Sequence, residues 1–250
     1  LTITNNTISN NSSYGIYCDN YNDNLTITNN TISNNSSYGI YFSQNNDYAT
    51  IGNNSIINNG SRGFFSNYNN KNITIQNNTI AEHTSYGINI DSYSNGNIIG
   101  NLIYNNGDYG IKLQSVRYGD CQVRNNTIDG HTSYGLYWDS GGHTLAAMNN
   151  SITNNETGIY CNNGGNSNTI AYNNSWNNSS GNYEGDLPTG TGALNDINPN
   201  NNVCDVYSNI SENPLYQDQE NGNYYLQFGS PNVDAGDPEV LDSDGTVSDI

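Results

Sequence analysis

Basic residues are nearly absent: five Lys and Arg stand against 23 Asp and Glu, for a net charge of −18. From Glu184 to Asp249 there are acids and no Lys or Arg at all. Such a surface repels phosphate backbones and anionic headgroups, which argues against nucleic acid and membrane as partners. No apolar run is long enough to cross a bilayer, and no signal peptide is recognisable. Apolar residues make up only 33%, too few for a large globule but enough for a thin rod with about three inward columns. The four cysteines, Cys18, Cys121, Cys161 and Cys204, form no C-x-x-C pair and no metal spacing. They read as buried small hydrophobes, with a Cys161–Cys204 bridge tying tail to rod as the sharper alternative.

What the chain does contain is repetition. The opening stretch LTITNNTISNNSSYGIY, Leu1–Tyr17, returns word for word at Leu25–Tyr41, a step of 24 residues. An N-x-I signature then recurs as Asn6-Thr7-Ile8, Asn30-Thr31-Ile32, Asn54-Ser55-Ile56, Asn78-Thr79-Ile80, Asn101-Leu102-Ile103, Asn126-Thr127-Ile128, Asn150-Ser151-Ile152 and Asn174-Ser175-Trp176. A fixed period with short alternating apolar pieces and no helical pattern predicts an all-β solenoid, one coil per copy. Equivalent strands then lie ~4.8 Å apart in parallel ladders, so eight coils span roughly 38 Å.

Two inward columns are predicted: Ile3, Ile27, Ile51, Ile75, Ile98, Val123, Ala147; and Ile16, Ile40, Phe64, Ile88, Ile111, Leu136, Ile159. The glycine before the second column, Gly15 in the first copy, marks a bend where a side chain does not fit or φ is positive. The Asn of N-x-I is expected to satisfy turn backbone groups and to bond its stacked neighbours.

The N-x-I and Y-G-I words resemble those of right-handed parallel β-helix repeat proteins, the superfamily of pectate lyases, polygalacturonases and the NosD-like repeats. The resemblance covers residues 1–180 and implies a single-stranded right-handed β-helix of about eight coils. After a Gly-, Pro- and Asp-rich connection, 181–212, residues 213–250 contain Asn213-Pro214-Leu215-Tyr216, Asn223-Tyr224-Tyr225-Leu226 and Gly229-Ser230-Pro231-Asn232-Val233-Asp234-Ala235-Gly236-Asp237. These resemble the closing tail of secreted bacterial β-helix proteins. The chain reads as a piece of a longer secreted or surface-bound prokaryotic protein with flanking domains. N-x-S/T sequons such as Asn5-Asn6-Thr7 arise from the repeat word itself, so glycosylation is not inferred from them.

Chemistry must come from outward columns. One reads Tyr17, Tyr41, Phe65, Asn89, Lys112, Tyr137, Tyr160, where rings at coil spacing form a platform for polysaccharide or merely stabilise the ladder. Beside it run Asp19, Ser43, Asn67, Asp91, Gln114, Asp139 and Asn162. Asp91 and Asp139, two coils or roughly 9.6 Å apart, barely suit a glycosidase pair, and Lys112 is the candidate base of a lyase on acidic polysaccharide. The polygalacturonase motifs are reduced to Gly141-Gly142-His143-Thr144 and Gly110-Ile111-Lys112.

His83 and His131 are equivalent turn positions and are expected to be exposed. A threonine column, Thr2, Thr26, Thr50 and Thr74, hints at water ordering but fails at Asn97 and Gln122. Asp242, Asp244 and Asp249 around Gly245 resemble part of a calcium loop, without its full ligand pattern. The expected role is therefore an extracellular structural or polysaccharide-contacting module. A polysaccharide lyase or glycoside hydrolase is the alternative.

Overall fold

A computed structural model describes residues 1–92, 94–117, 119–140, 142–242 and 244–250. Three parallel eight-stranded sheets run its length, each strand pairing with the equivalent strand one coil on. The first sheet begins at Thr2–Thr4, the second at Thr7–Ser9 and the third at Ile16–Asn20. Both predicted inward columns are buried from the second coil on, joined by a third formed by Ile32, Ile56, Ile80, Ile103, Ile128 and Ile152. Trp138, Phe42 and Phe64 are the bulkiest side chains fully buried in the bore among the described residues.

The corner between first and second sheets is held by one continuous amide column: Asn6, Asn30, Asn54, Asn78, Asn101, Asn126, Asn150, Asn173 and Asn209. Asn54 shows the pattern. Its backbone N–H and its Nδ2 both donate to Asn78 Oδ1 at 2.9 Å, and Nδ2 also reaches Ile27 O at 2.8 Å. Its own Oδ1 accepts from Asn30 in the same way. A buried backbone turn is thereby satisfied without water. The eighth copy departs from the sequence register: Asn173, not Asn174, continues the column, and Ser175 takes the isoleucine place.

A second corner carries Asn11, Asn35, Asn59, His83, Asn106, His131, Asn155 and Asn178. Both histidines are therefore buried, contrary to the exposure expected of turn residues, because a solenoid corner faces the inside of the stack. Their partners fix opposite neutral tautomers. His83 Nδ1 accepts from Asn59 N–H and its Nε2–H donates to Ile56 O. His131 Nδ1–H donates to Asn155 Oδ1 while Nε2 accepts from Asn106. Burial pushes both imidazoles down to about 4.

The Gly15 column has ordinary negative φ, so of the two reasons predicted for it only crowding holds. A Cβ on Gly87 would sit 2.7 Å from Gly110 O and from Ile103 Cγ2. Positive φ falls instead on corner asparagines such as Asn5, Asn29 and Asn53, which tolerate the left-handed region. All four cysteines are free and buried, so the Cys161–Cys204 bridge is not formed. Burial raises the thiols of Cys121 and Cys161 to about 12.

Residues 181–212, expected only to connect, cover the end of the rod. Tyr183 and Leu187 pack on its core, Ile210 bridges Asn174 and Cys204, and Asn209 ends the amide column on the buried carboxylate of Asp205. Residues 213–250, expected to close the helix, lie along the side of the rod instead. Tyr216 Oη donates to Ser151 Oγ at 2.6 Å and Asn149 Nδ2 to Ser248 Oγ at 2.9 Å.

Two predictions follow from the corners. Asn78→Ala leaves the buried N–H and one Nδ2 hydrogen of Asn54 without an acceptor and should lower urea-unfolding stability by about 2–5 kcal/mol, against less than about 1 kcal/mol for Asn6→Ala at the exposed end. For the histidines, the folded values lie below the unfolded value of about 6.5, so the unfolded chain binds protons first. Their contribution is therefore complete above pH ~6.5 and lost as pH falls towards ~4. A His83→Asn, His131→Asn double variant, restoring the column residue, should be more stable than the parent at pH ~4.5 relative to pH ~7.5 in paired unfolding curves.

Candidate functional site

The outer face of the third sheet carries the most chemistry. Tyr17, Tyr41, Phe65, Asn89, Lys112, Tyr137 and Tyr160 pair in register from coil to coil, as the spacing predicts. The Y-G-I tyrosines form a second column beside them: Tyr14, Tyr38, Tyr86, Tyr109 and Tyr134, with Arg62 in the place of the third ring. Neither that second column nor the place of Arg62 in it was anticipated, although both stand in the repeat word one residue before the column glycine.

Within columns most neighbouring rings stack, Tyr86 and Tyr109 being edge-on at 78°. Tyr41 and Phe65 lie 5.2 Å apart at 8°, Tyr137 and Tyr160 5.5 Å at 12°, and Tyr109 and Tyr134 5.2 Å at 18°. Between columns the contacts turn edge-on, as for Tyr38 and Tyr41 at 68°. Where rings are missing, cations fill the gap. The Arg62 guanidinium lies 4.1 Å from the Phe65 centroid and 4.8 Å from that of Tyr86, and Lys112 Nζ lies 5.0 Å from Tyr109 and 5.2 Å from Tyr86. The result is a wall of rings with two cations set among them, interrupted in the first column by the buried Asn89.

This geometry alters the expected platform. Rings stacked along the rod spend their faces on each other, so the wall presents ring edges and phenol hydroxyls outward. Tyr17 Oη already donates to Asp19, and Tyr41 Oη accepts from Asn67 Nδ2. The Tyr109 hydroxyl is raised to about 12, chiefly by burial and then by Asp108, so it stays a donor at any working pH.

The residues considered for catalysis each have other partners. Lys112 is committed to three tyrosine rings. Asp91 Oδ1 accepts from the N–H and hydroxyl of its neighbour Ser92, and Asp139 Oδ1 accepts from Asn163 Nδ2 at 2.7 Å. In the polygalacturonase-like scrap, Gly141 lies outside the described residues, and His143 stands 3.9 Å from Asp120. Asp242, Asp244 and Asp249 share one turn, but their oxygens serve it: Asp244 Oδ1 takes the Thr246 N–H and hydroxyl, Asp242 Oδ2 the Asp249 N–H, and Asp249 Oδ1 the Asp234 N–H. Among the described residues no three His, Cys, Asp or Glu side chains gather as a metal-binding set.

Asp129 is a polar centre that sequence reasoning passed over. It is buried on the second sheet, where other coils carry Ser33, Ala81 or Thr153. Its carboxylate accepts from Thr153 Oγ1 at 2.6 Å, Asn154 Nδ2 at 2.7 Å, Gln219 Nε2 at 2.9 Å and Tyr224 Oη at 2.8 Å. Desolvation first, and the Asp129 charge second, push the Tyr224 hydroxyl well up. The group pins the tail hairpin to the rod. Tyr224→Phe removes one charge-assisted bond and should cost about 1–2 kcal/mol. Hydrogen exchange should show faster opening of 216–226 with the coils unchanged.

Comparison with known proteins agrees with this architecture. The description "Right handed beta helix region" matches residues 20–176. Among solved structures, the crystal structure of pectate lyase Pel9A superposes with a TM-score of 0.52 at 11% identity, covering 90% of this chain and 70% of that one. At that identity the likeness is one of fold. No curated protein matches the sequence. With the family pattern spanning well over half of the chain, and three parallel sheets coiling through that span, the protein belongs to the right-handed β-helix family.

Proposed function

We propose that this chain is an extracellular β-helix module whose tyrosine wall contacts polysaccharide. The observation carrying the proposal is the wall itself, two adjacent columns of rings and cations that continue across the coils of one sheet. A stack needed only for stability would be served by phenylalanine. Tyrosine dominates here, and its hydroxyls line the outward edge at the coil spacing of ~4.8 Å. A linear glycan offers hydroxyls on a comparable repeat, so several weak contacts add along its length.

The anionic remainder of the surface supports a neutral glycan over a strongly anionic one, with Arg62 and Lys112 as local exceptions. The lyase or hydrolase alternative rests on likeness of fold to a pectate lyase, and fold does not carry activity.

Tyr41→Phe and Tyr137→Phe keep the stack and remove only the hydroxyl. If the wall contacts glycan, each should weaken retention on a polysaccharide matrix several-fold at unchanged melting temperature, whereas Tyr41→Ala should lower both. Unchanged retention by the two Phe variants would reduce the wall to a stabilising ladder. Release of unsaturated uronate, lost in Lys112→Ala, would instead favour the lyase.

A further inference from the structure

A cavity of about 400 Å³ lies between the cap and the tail, away from the tyrosine wall. Tyr172, Asn198, Pro199, Asn200, Ser208 and Asp234 line it, with Pro238 and Val247 completing its apolar side. It is the product of a break in the repeat. The residue just before each amide-column asparagine takes positive φ, and through seven coils it is Asn5, Asn29, Asn53, Asn77, Gly100, Asn125 and Asn149. These types tolerate the left-handed region.

In the eighth coil the same place is Tyr172, at φ 54°, and before Asn209 it is Ser208, at φ 62°. Asp234, facing them from the tail, is also left-handed at φ 54°. Tyr21 and Tyr48 share this conformation, but at exposed turns. Among the described residues, Tyr172 is the left-handed aromatic residue that lines this cavity. Backbone strain retained where a cheaper residue serves seven times over marks a position chosen for its side chain.

We propose that this cavity binds a neutral pyranose ring. Its volume falls in the range of small-ligand sites. It offers what a sugar requires: one flat aromatic ring with prolines for the C–H faces, and amide, hydroxyl and carboxylate groups for the hydroxyls. Charge sets the class. Asp234 lines the cavity, Asp237 and Glu239 act on the Tyr172 hydroxyl, and no Lys or Arg occurs between Glu184 and Asp249. A uronate or phosphosugar meets only repulsion there.

Asn200 and Asp234 also line a larger adjoining groove of about 660 Å³ that runs past Leu215 and Phe228, so a second ring linked to the first has room to continue. The site shares no residue with the tyrosine wall and stands whether or not the wall contacts glycan.

Saturation-transfer NMR and calorimetry on the whole chain, with the methyl glycosides of galactose, glucose and mannose against galacturonate, test the proposal. At least one neutral glycoside should bind, and galacturonate should not. Tyr172→Asn, the residue the other coils use, should keep or raise the melting temperature while weakening binding roughly tenfold or more. The proposal is overturned by silence of all three neutral glycosides, by equal binding of galacturonate, or by undiminished binding in Tyr172→Asn, which would place the sugar elsewhere.

Discussion

Everything in this molecule depends on the amide column at the corner of each coil. A chain that turns three times per coil buries backbone groups at every corner, and a buried N–H without an acceptor costs about 1–3 kcal/mol. The column solves this with one residue type. Asn78 takes two donors from the previous coil on one oxygen and returns its own amide hydrogens to the next oxygen and to two carbonyls, Ile51 O and Gln76 O. The bond partner of each amide is therefore the same residue one coil away, which locks the register. Once that register is locked, the isoleucines must stack in columns, and so must whatever points outward.

The tyrosine wall is a consequence of the same lock. Residues two apart along a strand share a face, and strands at coil spacing bring equivalent rings to about 5 Å. Tyrosine in the repeat word thus becomes a stack without further design. The interruptions are more telling than the regular part, because Arg62 and Lys112 enter among rings rather than beside acids in a protein with few cations to place. Both lie over aromatic faces, where their charge is partly compensated without an ion pair.

The histidines illustrate how residue type can conceal position. Imidazole next to Thr and Ser reads as a turn, and turns in globular domains face water. In a solenoid the corner is stacked above and below by its copies, so His83 and His131 sit inside a column of amides and act as asparagine substitutes. Their spacing of two coils, and the Asn11, Asn35 and Asn59 that precede them, held that information. For the glycines the sequence left two reasons open. Their place before the second inward column was plain, but whether crowding or φ required them depends on where the Ile103 methyl and the Gly110 carbonyl lie.

By itself the sequence determined the period, the inward columns and the outward column of Tyr17, because each is a property of a residue and its copy about 24 positions on, while composition alone left few cations to place. Only the tertiary structure decided the rest. Asp129 meets Gln219 and Tyr224 across some 90 residues with no period linking them, and the cap draws Asn209 into the amide column past a long irregular stretch. The tail lies along the rod rather than across its end, and the Tyr172 cavity exists only because cap and tail meet there. Repetition makes long-range contacts readable by converting them into a fixed offset. Where repetition stops, contacts depend on the path of the chain in space.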